Sequence, residues 1–334
     1  MRAAIITEPR HLEVREVPKP TPTATQVLVR LEGCGVCASN IPPWEGKPWF
    51  DYPMAPGALG HEAWGSVEAV GAQVKELSPG DRVAMLSNNA YAEFDLCVPS
   101  AALKLPPALD HEPFPAEPLG CALNIWKRTN AVVAQVCNLQ LKQASKLKTC
   151  ATIAIVGIGF LGALLTQLAT AAAGARVIAI SRREFSLQFA RAAGAAHTIV
   201  MDDHQRVIEE VQRLTNGKFC DVVIEAVGKQ WPLDLAGELT RERGRLVIAG
   251  YHQDGPRQVN MQLWNWRGLD VINAHERDPA IYLEGMREAA AAVEAGTLNP
   301  RPLYTHTFPL EQLDNALNMS AERPDGFMKA LVLL

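Results

Sequence analysis

The stretch 151–183 constrains the fold of this chain more than any other, because it contains a complete strand–turn–helix–strand pattern. It reads ATIAIVGIGFLGALLTQLATAAAGARVIAISRR. An apolar, β-branched run leads into a glycine-rich turn, an alanine- and leucine-rich helical segment follows, and a second apolar strand ends the unit. This order predicts a βαβ unit with two parallel strands, the repeating element of a doubly wound sheet.

The glycine spacing inside this unit predicts a dinucleotide-binding site. Gly157 permits a tight turn out of the strand, Gly159 lets the backbone approach a pyrophosphate, and Gly162 lets the helix pack closely on the sheet. The helix N-terminus at Phe160 and Leu161 favours an anion. Such a motif is weak evidence by itself, but the preceding strand and the following helix strengthen it. The alternative is a glycine-rich turn in an α/β core that binds nothing.

Length and composition exclude several classes of protein. A chain of 334 residues fits two domains of ordinary size. Its hydrophobic content of 48% and formal charge of −4 give no reason to expect a nucleic acid or an anionic membrane as partner. The sequence shows no apolar run long enough for a membrane span and no signal-peptide pattern, so we expect a cytoplasmic protein with a small-molecule partner. Its seven scattered cysteines favour reduced thiols over a disulfide framework.

The pattern of elements predicts where the two domains begin and end. Residues 1–120 contain short, regularly spaced strands typical of a partly closed barrel, and residues 121–274 alternate strands with helices. The segment 125–148 has few helix breakers and predicts one or two helices. Residues 275–334 return to the first domain. We therefore predict a catalytic domain formed by 1–120 and 275–334, with a six-stranded dinucleotide-binding domain inserted at 121–274.

Three residues of the first region have the side chains that zinc prefers. Cys37, His61 and Glu62 are each expected on a loop that follows a strand, and Glu117 is a plausible further ligand. Zinc at such a site acts as a Lewis acid, which eases deprotonation of an alcohol and polarises a carbonyl. The alternative is a buried thiol and a core histidine with no metal, and spacing alone favours that alternative.

Several motifs together resemble the medium-chain dehydrogenase/reductase superfamily, in its zinc-dependent alcohol dehydrogenase-like part. They are the loop 33–39 (GCGVCAS), Gly60-His61-Glu62, the turn 80–83 (GDRV) and the nucleotide-binding pattern, in the order that the family has. The resemblance covers essentially the whole chain. It implies an α/β protein with a GroES-like, partly open β-barrel catalytic domain and a Rossmann domain with a doubly wound, parallel six-stranded sheet.

The resemblance also implies roles for individual residues. In the family, residues that match Cys37 and His61 hold a catalytic zinc, and the residue that matches Glu62 is a ligand or lies just behind the metal. Glu117 matches the carboxylate of a Glu-Pro-Leu element found in polyol dehydrogenases. Ser39 matches the hydroxyl that relays the substrate proton. Ser39 and Glu62 are therefore the candidate catalytic residues.

The sequence departs from the family pattern at three places. Asn40 stands where an aspartate usually supports the zinc histidine, so we expect that histidine to be less firmly oriented. Pro42 replaces a histidine of the proton relay. Only residues 84–89 separate the GDRV turn from Ala90, which leaves no room for the four-cysteine lobe of many relatives. We therefore predict one catalytic zinc and no structural zinc.

The end of the second strand of the βαβ unit bears on the choice of cofactor. Ser181 stands where an acidic residue would bind the ribose of NAD, and Arg182 and Arg183 offer donors to a 2′-phosphate. This favours NADP over NAD, the alternative being a solvated basic turn. Further candidate cofactor contacts lie at later strand ends and at a basic residue that matches a pyrophosphate contact in relatives: Ala226, Val227, Ala249, Gly250, Tyr251 and Lys329.

The predicted activity is hydride transfer between a secondary alcohol or polyol, or the corresponding ketone, and NAD(P). Alternatives are a zinc-free quinone or enone reductase of the same superfamily and a catalytically inactive nucleotide-binding regulatory or structural protein. The apolar strand 269–274 is expected to pair with its symmetry mate in a homodimer or homotetramer. The substrate pocket is expected to draw on Trp44, Trp64, Tyr91 and Asn124, with Trp264 and Trp266 as further candidates. The alternative for each tryptophan, favoured individually, is ordinary core packing.

Overall fold

The chain forms two compact units in a computed structural model that describes residues 1–110, 112–143 and 151–334. The first unit comprises Met1–Cys121, Arg277–Gly296 and Pro300–Leu334. The second comprises Ala122–Glu276 and Thr297–Asn299. The predicted domain boundaries, after residues 120 and 274, concern independently folding domains and stay a prediction.

The two units contain a conventional set of strands and helices. The strands are β1 (Arg2–Glu8), β2 (His11–Glu16), β3 (Val27–Gly35), β4 (Glu62–Val70), β5 (Arg82–Leu86), β6 (Phe94–Cys97), β7 (Ala102–Lys104), β8 (Ala151–Val156), β9 (Ala175–Ser181), β10 (His197–Val200), β11 (Cys220–Glu225), β12 (Thr240–Ile248), β13 (Asp270–Asn273), β14 (Tyr304–Pro309) and β15 (Lys329–Leu333). The helices are α1 (Ile41–Trp44), α2 (Ala116–Gln143), α3 (Phe160–Ala171), α4 (Glu184–Ala192), α5 (His204–Leu214), α6 (Gln230–Leu239), α7 (Met261–Arg267), α8 (Pro279–Glu294) and α9 (Leu313–Glu322).

The second unit is built on a parallel sheet with the strand order β10-β9-β8-β11-β12-β13. Its central strands are buried along their length, as their continuous apolar runs predict for a sheet covered on both faces. The chain fills one side of β8 first and then returns to the other side, so the direction of winding reverses between β8 and β11. The carboxyl ends of the strands form a ligand-binding crevice at such a reversal. The predicted doubly wound, six-stranded sheet is confirmed.

The first unit contains a mostly antiparallel sheet with the order β14-β15-β3-β4-β5-β7, in which β6 also pairs with β3. Strands β1 and β2 form a separate hairpin. The inward-facing side chains of β3, among them Val27, Val29 and Leu31, pack into one apolar core with residues of β4, β5 and α9. The register of β3 and β4 pairs Gly35 with Glu62, so the end of one strand lies beside the start of the other.

Two short helices, α1 and α7, lie in stretches whose sequence shows no helical period. Helix α1 forms in a stretch rich in proline and tryptophan, because a proline in the first turn of a helix loses no intrahelical hydrogen bond. The Asn260 side chain caps the start of helix α7, and Gly268, at φ +56°, ends it. Neither is long enough to show a clear helical period in the sequence.

Helix α2 begins earlier than predicted, which affects one candidate ligand. It starts at Ala116 and not near residue 125, so Glu117 lies in its first turn. Residues 144–148 of the predicted helical segment 125–148 lie outside the described residues. Within the part of the chain that the structure describes, no helix combines the length and the apolar character that crossing a bilayer requires.

Candidate functional site

The antiparallel pairing of β3 with β4 brings the predicted zinc ligands together. Cys37 follows the end of β3, His61 immediately precedes β4, and Glu62 is the first residue of β4. One potential ligand atom from each side chain lies within 4.8 Å of the others. The prediction that each lies on a loop is wrong for Glu62, which belongs to β4, whereas Cys37 and His61 lie outside the strands. Because Glu62 pairs with Gly35, the register of β3 and β4 fixes its backbone.

The carboxylate of Glu62 is buried and paired with Lys329. Glu62 is fully buried, and Lys329 Nζ lies 2.6 Å from Oε1 and 2.5 Å from Oε2. Among the described residues, no donor is aligned to give Oε2 a hydrogen bond. A Cβ at Gly35 would lie 1.9 Å from that same oxygen, so a side chain there would displace the carboxylate. Glu62 Oε2 is thus a buried acceptor in a space that a glycine keeps open.

Lys329 makes a contact that the sequence did not predict. Its side chain is 6% exposed and ends at the Glu62 carboxylate. The expected contact with the cofactor pyrophosphate stays a prediction. Burial alone would lower the pKa of Lys329, but the negative charges around it, above all Glu62, raise the pKa above its usual value. Lys329 is therefore a cation that neutralises a buried carboxylate.

The ring of His61 is held by a backbone carbonyl. Nδ1 lies 2.8 Å from the oxygen of Leu59, and Nε2 lies 3.4 Å from Ser39 Oγ. A carbonyl can only accept, so Nδ1 carries the hydrogen and Nε2 faces Ser39. Asn40 Nδ2 donates to the same Leu59 oxygen at 2.9 Å. The expected loose orientation of His61 is not what the structure has, because Asn40 acts through Leu59 and not on the ring.

The protonation of His61 bears on metal binding. Burial alone would lower the pKa of His61, but its hydrogen bond with Cys37 and the acidic groups around it raise the pKa to about 10. Metal ions require the deprotonated imidazole. Zinc bound at His61 would therefore take the place of a proton on the ring.

Glu117 lies near this cluster but is held by a different partner. It is not one of the three residues whose ligand atoms lie within 4.8 Å of one another. The Cys121 thiol, one helical turn further along α2, donates to Glu117 Oε1 at 3.3 Å, and the Tyr282 phenol is hydrogen-bonded to Cys121. Burial raises the pKa of Glu117 above its usual range, although the positive charge of His61 opposes the shift.

Sequence reasoning missed three residues around this cluster. They are Leu59, whose carbonyl orients His61, and Cys121 and Tyr282, which approach Glu117. A spacing of four residues on a helix indicates that Cys121 and Glu117 share a face. No signal in the sequence points to Leu59 or Tyr282.

The aromatic residues predicted for the substrate pocket are mostly core residues. Trp44 and Tyr91 are fully buried and Trp64 is 2% exposed. The Trp44 indole donates to Asn318, and the Tyr91 hydroxyl donates to Asn40 Oδ1. The three side chains therefore pack in the core of the first unit, as the core-packing alternative expects for the two tryptophans.

The glycine-rich turn of the second unit has the backbone that its motif predicts. Gly157 follows β8 with φ +98°, a conformation that favours glycine. A Cβ at Gly162 would lie 1.9 Å from the oxygen of Gly157, whereas a Cβ at Gly159 would meet nothing within 4 Å. The turn is thus closed on the helix side and open at Gly159. Phe160 and Leu161 begin α3, whose N-terminus carries partial positive charge beside that opening.

The other candidate cofactor residues lie at the carboxyl ends of neighbouring strands. Ser181 ends β9 and is buried, Arg182 is exposed, and Arg183 precedes α4. Within the described parts of the chain, Arg182 has no ion-pair partner. The remaining residues follow β11 and β12: Ala226, Val227, Ala249, Gly250 and Tyr251.

Comparison with known proteins identifies the family. Residues 23–102 match the alcohol dehydrogenase GroES-like domain, and residues 161–290 match the zinc-binding dehydrogenase domain. The chain belongs to the medium-chain dehydrogenase/reductase superfamily. Its fold is that of the zinc-dependent alcohol dehydrogenase-like members, with a GroES-like part and a Rossmann part, and it is an oxidoreductase.

The relatives of this chain are distant but cover nearly all of it. It is 24% identical to a sorbitol dehydrogenase of Bacillus subtilis over 348 residues, which cover 99% of this chain and 97% of that protein. It is 27% identical to an NAD-dependent alcohol dehydrogenase of Sulfurisphaera tokodaii over 340 residues, 95% of each chain. Its fold is similar to that of a Sinorhizobium meliloti protein crystallised with NADP (TM-score 0.80, 23% identity, 100% of this chain and 99% of that chain).

Both groups that the superfamily implies fit the residues of this chain. Sulfur, imidazole nitrogen and carboxylate oxygen are suitable ligands for zinc, and Cys37, His61 and Glu62 offer one of each close together. The turn is open at Gly159, where a Cβ would meet nothing within 4 Å, beside a helix N-terminus that favours a phosphate. The chemistry of the donor set and the open turn therefore agree with the family.

Proposed function

We propose that this dehydrogenase is a zinc-dependent oxidoreductase that transfers a hydride between a secondary alcohol or polyol, or the corresponding ketone, and NAD(P). The clustering of Cys37, His61 and Glu62 carries the proposal, because Cys37 is distant in the sequence from the adjacent His61 and Glu62 and approaches them only through the pairing of β3 with β4. A zinc-free reductase gives such a cluster no role. The glycine-rich turn in the same chain supports the nucleotide half of the proposal.

Cys37 and His61 would hold the zinc, with Glu62 as a ligand or directly behind it. Bound there, zinc supplies Lewis-acid polarisation of the substrate oxygen. The Leu59 carbonyl fixes the His61 tautomer that leaves Nε2 available. Lys329, which is paired with Glu62, offsets the charge of that buried carboxylate. Glu117 is proposed as the further ligand, and its contact with Cys121 would then be exchanged for the metal.

Ser39 is proposed to move the substrate proton. Its hydroxyl lies 3.4 Å from His61 Nε2, the nitrogen that would hold the zinc. A hydroxyl in that place would be within reach of a substrate oxygen bound to the same zinc ion. Ser39 is only partly buried, so the proton it accepts can pass to water without the histidine that Pro42 replaces.

NADP is proposed as the preferred cofactor, with NAD as the alternative. A bound nicotinamide dinucleotide supplies the hydride acceptor. Ser181 brings no negative charge to the end of β9, and Arg182 is exposed and available to a 2′-phosphate. We also propose that β13, the last strand of the sheet, pairs with its mate in a homodimer or homotetramer.

Two measurements on the purified protein test the proposal. Metal analysis is expected to find about one zinc per chain, and a panel of polyols and secondary alcohols is expected to reduce NADP or NAD, followed by absorbance. The variant Cys37→Ser should lose zinc and turnover together, whereas Cys97→Ser, at a buried cysteine of β6, should keep both. A zinc-free protein that reduces quinones would favour the reductase alternative. Bound cofactor with no turnover of any substrate would favour the inactive alternative.

A further inference from the structure

One buried carboxylate organises both loops at the carboxyl end of the sheet in the second unit. Glu225, the last residue of β11, is fully buried. Its Oε1 accepts hydrogen bonds from the backbone of Val227 at 2.7 Å and of Gly228 at 2.8 Å. Its backbone oxygen accepts from Ala249 and Gly250, each at 2.8 Å. The loops that follow β11 and β12 are therefore tied to a single residue.

A histidine and an arginine extend this arrangement. His252 Nε2 lies 3.0 Å from Glu225 Oε2, and Arg257 Nε donates to His252 Nδ1 at 2.9 Å. A guanidinium can only donate, so Nδ1 must accept and Nε2 must carry the hydrogen that Glu225 receives. Arg257 also donates to the carbonyl of Gly228 at 2.9 Å. Glu225, His252 and Arg257 thus close a circuit of hydrogen bonds from the second loop to the first.

This circuit determines where the carbonyls of the first loop point. In a trans peptide the N–H and the preceding C=O point in opposite directions. The N–H groups of Val227 and Gly228 face Glu225, so the carbonyls of Ala226 and Val227 face away from it. The Ala226 oxygen lies 3.3 Å from the position that a Cβ on Gly157 would take. The carbonyl edge of this loop therefore borders the glycine-rich turn.

We propose that Glu225, His252 and Arg257 are positioning residues for the nicotinamide end of the cofactor. Backbone carbonyls that are held in one direction can accept hydrogen bonds from the N–H₂ group of a carboxamide. Nicotinamide carries such a carboxamide, whereas a fragment that consists of the adenosine half alone does not. The inference rests on the proposed function in requiring a nicotinamide dinucleotide. It assigns the circuit to recognition of the nicotinamide half, whereas Arg182 acts on the adenosine half.

The experiment compares NADPH with 2′,5′-ADP by calorimetric titration of the full-length protein. The variant His252→Ala removes a donor from Glu225 and an acceptor from Arg257, and the dissociation constant for NADPH is expected to rise roughly tenfold. Binding of 2′,5′-ADP should change less than about twofold, since this fragment does not reach the loops. If the wild type prefers NADH, then NADH and 5′-AMP replace the pair.

Two further variants complete the test. His252→Gln keeps a donor and an acceptor on one side chain and should restore most of the NADPH affinity. The control is His204→Ala. It breaks a histidine–glutamate contact of the same kind in the same unit, since His204 Nε2 lies 3.0 Å from Glu238 Oε2, and it should leave both affinities unchanged. Equal weakening of NADPH and 2′,5′-ADP in His252→Ala, or no weakening, would overturn the inference. A wild type that binds neither dinucleotide would overturn the proposed function, and this inference with it.

Discussion

The candidate metal-binding residues Cys37, His61 and Glu62 of the first unit, here called the metal cluster, differ in construction from the proposed cofactor edge of the second unit. The cluster consists of side chains, and its members meet because β3 pairs with β4. The cofactor edge consists mainly of backbone: a glycine-rich turn, a helix N-terminus and two loops that a buried glutamate holds. The first arrangement depends on charges taken out of water, and the second depends on backbone conformation.

This difference teaches where each region is sensitive. A buried ion pair is costly to break, since removing one partner leaves an unpaired charge in the interior. A backbone site tolerates most exposed side-chain changes, and its affinity responds to individual donors at its rim. Substitutions in the first unit should therefore affect stability and turnover strongly, and substitutions at the cofactor edge should mainly affect selectivity.

The largest expected effect is on the buried pair of the first unit. Lys329→Met leaves the Glu62 carboxylate buried without its cation, and we expect the metal-free protein to lose about 3–5 kcal/mol of unfolding free energy. Denaturant unfolding followed by circular dichroism measures the loss. The double variant Lys329→Met/Glu62→Gln should recover most of it, because the unpaired charge is then absent.

An exposed ion pair in the same unit provides the control for that comparison. Lys104 pairs with Asp81 at 2.6 Å, and its side chain is 58% exposed. Lys104→Met should cost less than about 1 kcal/mol, since solvent screens the pair. Equal losses in Lys104→Met and Lys329→Met would contradict the view that burial makes the first-unit cluster sensitive.

The same difference explains what the sequence could predict. The βαβ unit is contiguous, so the apolar strands, the glycine spacing and the helix all appear within one stretch, and the six-stranded sheet follows from repeating that pattern. Local sequence determines local backbone here.

The metal cluster could not be derived from local sequence. Nothing in the spacing of Cys37 and His61 says that they meet, and only the family resemblance indicated it; the register of β3 and β4 supplies the physical reason. Contacts between elements distant in the chain were missed for the same reason. Tyr282 reaches Cys121 from α8, and Lys329 reaches Glu62 from the last strand.

The second largest expected effect, after that of Lys329→Met, is the loss of turnover when Ser39 is replaced. Ser39→Ala removes the proposed proton carrier, and kcat is expected to fall roughly 100-fold while zinc content stays unchanged, because Ser39 is not a ligand. Steady-state kinetics with metal analysis measures both. Ser39→Thr keeps the hydroxyl and should retain most of the activity. The control Ser66→Ala removes a hydroxyl that donates to Glu32 at 2.7 Å and should have little effect on kcat. Loss of zinc in Ser39→Ala would instead assign Ser39 to the metal site.

The smallest expected effect is the one that discriminates between cofactors at the second region. Arg182 is exposed at the end of β9, where its guanidinium can meet a 2′-phosphate that NADP has and NAD lacks. Arg182→Ala should therefore raise the KM for NADP roughly tenfold and leave the KM for NAD nearly unchanged, since one exposed charge-assisted contact is lost. The control Arg213→Ala removes an exposed arginine that pairs with Glu210 on α5 and should change neither constant. Equal changes for the two cofactors would mean that Arg182 senses the shared pyrophosphate or only the net charge. The choice of cofactor at this position would then depend on Ser181. Because Ser181 carries no charge, it would admit either cofactor.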